Sequence, residues 1–360
     1  MKRPKLVSLV SGYARAGAKL TAFVAPPNDR LIAYTGWAGH SNLGDEAMLE
    51  AVRRYFQAYS VRCAPGFSNR TARSMIARKK PSIAILGGGT LLGPAAWKEK
   101  FETSSSSAAT NVVFGTGVLR DPGSGRPTGS LPDWKPVLEK CRYLGVREEA
   151  SANILSDIGI TAEVLGEPAC RFVLDDSSNT RSERMLGVNF GRAGHYGEMW
   201  GSSDDTAKAI AQALAALRST DWRFRFFVVW PEDLRPTLQL MDRAGVSDVS
   251  TVVCTYRSGT EFVERAKDLT AFLGFKLHAV ILALCAHIPT LMLAYRPKGV
   301  DFMHSVGLAD FTIQTDQVTK HWIVEGIEDS VEMPVSQAIR QMLAFRELQQ
   351  RRAQEIVSLP

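Results

Sequence analysis

The chain has few cysteines, and nothing in their arrangement puts them to work. Cys63, Cys141, Cys170, Cys254 and Cys285 are odd in number, far apart and never in a C-x-x-C pair. That excludes a disulfide framework and the usual zinc spacings, and leaves five small hydrophobes in a reducing compartment. Long apolar runs are also missing: none reaches the roughly 18 residues that a bilayer-spanning helix needs. Charge of one sign is scarce once it is located along the chain. The 43 basic and 37 acidic residues leave +6, but Lys2, Arg3, Lys5, Arg15, Lys19 and Arg30 against Asp29 put +5 of it in the first 30 residues. A near-neutral remainder cannot track a phosphate backbone, so nucleic acid is not an expected partner. A G-x-x-x-x-G-K-[ST] loop is absent, and neither glycine-rich loop carries the full dinucleotide fingerprint. A clean signal peptide is lacking too. Ala14-Arg15-Ala16 loosely imitates a cleavage site, but Ser8, Ser11 and Gly12 interrupt the apolar stretch before it, so a cytoplasmic location is expected.

What remains is an ordinary globular composition, 45% hydrophobic and 22% charged over 360 residues, a length that at about 150 residues per domain predicts two domains. Short apolar strands alternate with helical patterns. Leu31–Thr35, 82–86, 111–114, 142–146 and 161–165 read as strands that run into glycines, an arginine or Gly166-Glu167-Pro168. After the polar stretch 175–182, which looks like a linker, a second series follows at 186–190, 225–229, 251–254, 269–273 and 289–293. Such alternation is the signature of a parallel α/β sheet. The expected architecture is two Rossmann-like domains, 31–175 and 183–330, with a cleft between them. A basic arm (1–30) precedes them, and a long helix (331–360), placed to reach back over the first domain, follows. In open parallel sheets ligands sit at the carboxyl ends of strands.

The candidate site residues lie at those ends. Gly36 to Gly44, with Gly39, Asn42, Gly44 and then Asp45 opening a helix, and the triple Gly87, Gly88, Gly89 read either as tight strand-to-helix turns or as places where backbone amides approach an anion or sugar. Arg147, Lys276, His278 and Lys298 are polar residues at strand ends. Lys276 and His278 are set in the apolar stretch 271–283. A cation there is costly to bury without an anion, although a lysine that snorkels to solvent and a histidine satisfied by backbone also fit. His195, His287, His304 and His321 sit in no comparable setting and are expected to be structural or surface residues. In the arm, Leu6, Leu9, Val10 and Tyr13 recur at helical spacing among basic residues, the make-up of a short amphipathic helix for peripheral membrane contact through residues 1–25. Pro4, Gly12 and Gly17 weaken that helix and favour an arm that packs on the body or stays unstructured.

Taken together, several blocks resemble the polysaccharide pyruvyltransferase family: Gly36-Trp-x-Gly-x-x-Asn42-x-Gly44-Asp45-Glu46-Ala47, Ile85-Leu-Gly-Gly-Gly-Thr-Leu91, Gly145-Val-Arg147-Glu-Glu-x-Ser151, Gly274-Phe-Lys-x-His278, Ala294-Tyr-Arg-Pro-Lys298-Gly and Asp301-Phe-x-x-Ser305-x-Gly-Leu308. Glu167 stands where similar proteins often have Asp before Pro168. The resemblance implies a GT-B-like enzyme that moves the pyruvate of phosphoenolpyruvate onto two sugar hydroxyls as a cyclic ketal, in cell-surface or exopolysaccharide biosynthesis. Phosphoenolpyruvate is a substrate in that reaction; no cofactor and no metal is implied. The partners implied are phosphoenolpyruvate and a sugar acceptor, a lipid-linked oligosaccharide included, at the inner face of the plasma membrane. Arg147, Lys276 and Lys298 would hold the donor's carboxylate and phosphate, and His278 would be the acid or base. Because fold alone does not decide function, a GT-B glycosyltransferase with a nucleotide-sugar donor is the alternative, and a sugar-binding protein without activity is a third reading. Release of inorganic phosphate rather than a nucleoside diphosphate separates the first two.

Overall fold

A computed structural model describes residues 5–6, 30–63, 80–176, 184–193 and 199–359. The chain divides into two compact units. The N-terminal unit gathers Val10–His40, Met48–Arg171 and Ala344–Pro360; the C-terminal unit gathers Met1–Leu9, Ser41–Ala47 and Phe172–Leu343.

In the N-terminal unit the strands are β2 (Leu31–Thr35), β3 (Ser60–Cys63), β4 (Ile83–Leu86), β5 (Gly89–Leu92), β6 (Thr110–Val118), β7 (Tyr143–Val146) and β8 (Glu163–Val164). They form one parallel sheet in the order β3-β2-β4-β6-β7-β8, with β5 added alongside β6. Every residue of β4 is buried, as a strand covered on both faces requires. One core cluster packs Leu86, Val113 and Val146 of the strands against Phe101, Trp134 and Leu138. β6 runs four residues past the predicted 111–114, because Gly115 takes φ +75° and the pairing with β7 skips a residue there. A bulge thus continues a strand that the glycine was expected to end.

The C-terminal unit holds β9 (Met185–Asn189), β10 (Arg223–Val228), β11 (Ser250–Cys254), β12 (Ala271–Gly274), β13 (Thr290–Ala294) and β14 (Thr312–Gln314). Its sheet is parallel throughout, in the order β11-β10-β9-β12-β13-β14, and β1 (Lys5–Leu6) pairs with β11 at the edge. Leu6, which the helical reading of the arm places on an apolar face, is therefore in a strand. The rest of that amphipathic segment, and residues 177–182 of the expected linker, lie outside the described residues.

The final helix is Val335–Val357, four residues shorter at its start than expected. Pro334 explains this: Met333 before it is extended (ψ 132°), and a proline disfavours helix at the preceding residue. Its second half belongs to the N-terminal unit. There Phe345 covers Gly166, buried Gln349 accepts from the Tyr55 hydroxyl (2.5 Å) and donates to the carbonyls of Leu165 and Glu167 (3.1 Å each), and Arg352 grips both Glu163 oxygens at 2.7 and 2.8 Å. None of the five cysteines is in a disulfide, and burial pushes the Cys141 thiol up to about 12. Among the described residues no helix is long and apolar enough to cross a membrane.

Candidate functional site

Asp233, Lys276, Arg296 and Lys298 of the C-terminal unit follow the carboxyl ends of β10, β12 and β13, which with β9 are four adjacent strands. Asn189 closes β9. Its side-chain NH2 donates to the Phe227 carbonyl (2.9 Å) and its Oδ1 accepts the Lys276 N–H (2.8 Å), which fixes the loop after β12. Lys276 is the residue before the helix Leu277–Cys285. Its Nζ donates to the Arg192 carbonyl, lies 3.7 Å from Asp233 Oδ2, and stands 5.4 Å and 5.9 Å from the ring centres of Trp230 and Tyr295. Asp233 is fully buried and also accepts the Arg192 N–H at 2.9 Å. Burial pushes its carboxyl above the usual range, against the pull of Lys276 and that N–H. Gly191 makes this possible, since a Cβ there would occupy the space of the carboxylate.

Tyr295, directly after β13, stacks on Phe275 with ring centres 4.6 Å apart. Arg296 Cζ and Lys298 Nζ each lie 5.8 Å from its ring centre. Burial alone would raise the Tyr295 phenol; Lys298, Lys276 and Arg296 together outweigh it and hold the phenol below its ordinary range. Three cations thus gather about one phenol, with the buried carboxylate of Asp233 beside Lys276. The helices Leu277–Cys285 and Pro297–Ser305 both start here, adding the positive ends of their dipoles.

His278 stands in the first turn of Leu277–Cys285, half-buried, against Gly44. The Gly36–Gly44 loop earns its glycines in two ways. Gly39 takes φ +90° with open space around it, while at Gly44 a Cβ would run into the His278 ring. Asn42 caps the helix Leu43–Tyr55: its Oδ1 accepts the Gly44 N–H (3.1 Å) and its carbonyl the Glu46 N–H (3.0 Å). Leu43 N–H donates to the Val229 carbonyl (2.9 Å), and Asp45 and Glu46 occupy the first turn.

Arg147 belongs to the N-terminal unit. Its Nε donates to Glu148 Oε2 at 2.7 Å, its Nη1 lies 3.6 Å from Glu167 Oε2 and 3.5 Å from the Gly89 carbonyl, and its side chain is 4% exposed. Ser151 accepts the Val118 N–H (2.8 Å) and donates to Glu148. The β6 backbone passes so close that a Cβ on Gly117 would stand 2.9 Å from Glu148 Oε1 and 3.0 Å from Arg147 Nη2. The room left by Gly87 and Gly88 is filled by Tyr34 and Met48, and Gly89 opens β5 at φ +101° rather than lying in a loop. Thus Lys276 and Lys298 come together about Tyr295, His278 meets the Gly44 turn, and Arg147 belongs to the N-terminal unit, among carboxylates. Asp233 and Trp230 were not singled out by sequence, and Tyr295 and Arg296 appear there only inside the block Ala294–Gly299. Asp233 precedes the helix Leu234–Ala244, and only its burial marks it out. Of the remaining histidines, His287 bonds the Leu174 carbonyl (2.8 Å), His321 pairs with Glu325 on the surface, and His195 lies outside the described residues.

The family profile described as polysaccharide pyruvyl transferase matches residues 42–297. No curated protein matches. Among solved structures, S. aureus MnaA with UDP aligns at a TM-score of 0.54 and 12% identity over 87% of this chain and 90% of that one. A UDP-GlcNAc 2-epimerase from Neisseria meningitidis, bound to UDP-GlcNAc, aligns at 0.52 and 12% over 89% and 94%. One from Listeria monocytogenes, itself described as putative, aligns at 0.53 and 10% over 87% and 90%. At these identities the likeness establishes the GT-B-like fold alone.

Proposed function

The chain belongs to the polysaccharide pyruvyl transferase family, and from that premise we propose that it uses phosphoenolpyruvate to build a cyclic pyruvate ketal on two hydroxyls of a sugar, with release of phosphate. The observation that carries this reading is the convergence of Lys276, Lys298 and Arg296 about Tyr295, with Asp233 beside Lys276. A donor with a carboxylate and a phosphate needs such an excess of cations, and two helix starts beside it reinforce the field.

In the proposed course, one sugar hydroxyl adds its oxygen to C2 of the enol while C3 takes a proton and becomes the methyl group. The C2–O bond to phosphate then breaks, the electron pair leaves with phosphate, and the second hydroxyl closes the ring at C2 as its proton departs. His278 is the side chain assigned to proton transfer. Lys276 and Lys298 bind the donor and stabilise the leaving phosphate. Arg147, expected from the resemblance to hold the donor, holds Glu148 and the Gly89 carbonyl within its own unit. The acceptor class includes lipid-linked oligosaccharides, for which the basic residues 1–25 would supply contact with the inner face of the plasma membrane.

The competing reading takes its support from the UDP and UDP-GlcNAc held by proteins of the same fold. A phosphate-release assay with phosphoenolpyruvate and a panel of glycan acceptors decides between them. Acceptor-dependent inorganic phosphate is the expected product; a nucleoside diphosphate from a nucleotide sugar, with phosphoenolpyruvate inert, would overturn the proposal.

A further inference from the structure

Asp233 stands at the N-terminal cap of the helix Leu234–Ala244, yet its side chain makes no capping hydrogen bond, and the residue has no exposed surface. Its two oxygens differ. Oδ1 accepts the Arg192 N–H at 2.9 Å, whereas Oδ2 has no hydrogen-bond partner among the described residues and faces Lys276 Nζ from 3.7 Å, beyond hydrogen-bond reach. The turn is held in place: the Thr237 hydroxyl lies 2.7 Å from the Asp233 carbonyl and 3.1 Å from the carbonyl of Phe190, just after β9. Lys276 Nζ donates to the Arg192 carbonyl, and its side chain is 13% exposed, so one ammonium group touches both a buried carboxylate and solvent.

Burial favours the neutral form of a carboxyl group, and a neighbouring cation favours the charged form. Both act on Asp233. Burial raises it most, Lys276 and the Arg192 N–H pull it down, and Glu232 in the same turn adds to the rise. Other elements feel its charge as well. The Tyr256 phenol, after β11, is pushed up by burial, by Cys254 and then by Asp233; at Tyr295, after β13, Asp233 acts with burial against the cations. An anion that docks on Lys276 therefore takes over part of the charge that keeps Asp233 ionised. Two negative groups that share one ammonium in a water-poor site do not both stay ionised, and the buried carboxyl is the one already displaced towards its neutral form.

We infer that Asp233 is a proton-coupled counter-ion of the donor site: a phosphate-type anion binds at Lys276 together with a proton, which comes from solvent and settles on Asp233 Oδ2. No bond between heavy atoms changes. The new O–H cancels one negative charge and leaves the Lys276 ammonium to the anion, so Asp233 is a positioning residue that acts through Lys276. That the anion is phosphoenolpyruvate rests on the pyruvyl-transfer reading; that anion and proton arrive together does not.

Sulfate is the probe that tests this without any reaction, because it stays a dianion at every pH where the protein is folded and any proton taken up must go to the protein. Calorimetric titration of the full chain with sulfate, at mildly acidic pH in buffers of different ionisation enthalpy, counts the protons bound. Net uptake of up to one proton is expected. In Asp233→Asn, which keeps the acceptor for the Arg192 N–H, sulfate should still bind while the uptake falls by about half or more. The sign in pH follows from linkage: affinity for sulfate falls as pH rises in the wild type, and this slope flattens in Asp233→Asn. Should that variant fail to fold, the infrared difference spectrum of the wild type with and without sulfate reads the same event as a new C=O band of a protonated carboxyl group, to which sulfate contributes nothing. Sulfate bound without a proton or not at all, uptake undiminished in Asp233→Asn, which would place it on another group such as His278, or the absence of a carboxyl band overturns the inference. Failure of the pyruvyl-transfer reading looks different: sulfate binds with its proton, while phosphoenolpyruvate releases no phosphate with any acceptor.

Discussion

Gly44 and His278 make the sharpest test of the catalytic reading, because one methyl group should move one imidazole. A Cβ on residue 44 would stand 2.7 Å from His278 Cγ and 3.0 Å from Cε1, where ordinary contact begins at 3.4 Å. Its Nδ1 is nearer still, so the ring must retreat by roughly 1 Å or tilt, a misplacement of the size that costs about 100-fold in a positioned catalytic group. Gly44→Ala is accordingly expected to lower kcat for phosphate release by about two orders of magnitude while the Kd for phosphoenolpyruvate, measured by calorimetry, stays within about threefold. Overpacking should also destabilise the fold by about 1–3 kcal/mol. In the His278→Ala background the obstacle is gone, and alanine in a first helical turn is better than glycine by about 0.5–1 kcal/mol. The stability effect of Gly44→Ala should thus change sign between the two backgrounds. Thermal or urea unfolding of all four members of that double-mutant cycle measures the coupling. Equal destabilisation in both backgrounds would refute the packing argument, and wild-type turnover in Gly44→Ala or His278→Ala would refute the assignment of proton transfer to His278.

Lys276→Ala and Lys298→Ala should each raise the Kd for phosphoenolpyruvate about tenfold or more, since a charge-assisted bond contributes about 1.5–3 kcal/mol; unchanged affinity in both, by calorimetry, would remove the donor site from this cluster. Arg147→Ala should cost about 3–5 kcal/mol of stability by stranding Glu148 and Glu167, both buried, and Arg147→Lys should recover only part of it; a denaturation midpoint equal to wild type would show that the clamp is idle. Tyr295 should be found among the eight tyrosines as one that ionises below the ordinary range, and Lys298→Met should move it up because Lys298 is the strongest cationic influence on it. The sign follows from proton counting: between the folded and unfolded values the unfolded chain holds more protons, so this group adds stability as pH rises through that window and loses it as pH falls below the folded value. Phenolate absorbance against pH, with Tyr295→Phe as the blank, checks this; a titration identical in Tyr295→Phe and wild type would sink it.

How much of this was legible in the sequence depends on the range of the interactions involved. β2 was read to the residue because apolar periodicity and the glycine turn after it are local signals. β3 was missed because only Val61 of its four residues is buried, leaving no pattern to read, and β14 because three half-buried residues at an edge carry none either. Lys276, His278 and Lys298 could be picked out as polar residues in apolar surroundings at strand ends, which is again local. Their setting could not. Asp233 looks like any first-turn acid beside Glu232, and only the pairing of β9 with both β10 and β12 brings it under Lys276.

Arg147 carries the same lesson with opposite effect. From sequence it is a cation at a strand end; in the fold its charge faces Glu148 and Glu167, the second from 20 residues on, brought near by the pairing of β7 with β8. Arg147 is held between two buried carboxylates, whereas Lys276, Lys298 and Arg296 all lie within 5.9 Å of one phenol ring and Asp233 is the carboxylate beside Lys276. Equal residue types at equivalent strand ends thus differ in what they can bind, and the difference lies in the counter-charges that the sheet order assembles around them. That is why the donor should be lost from the protein by changes at Lys276 and Lys298 before it is lost by changes at Arg147.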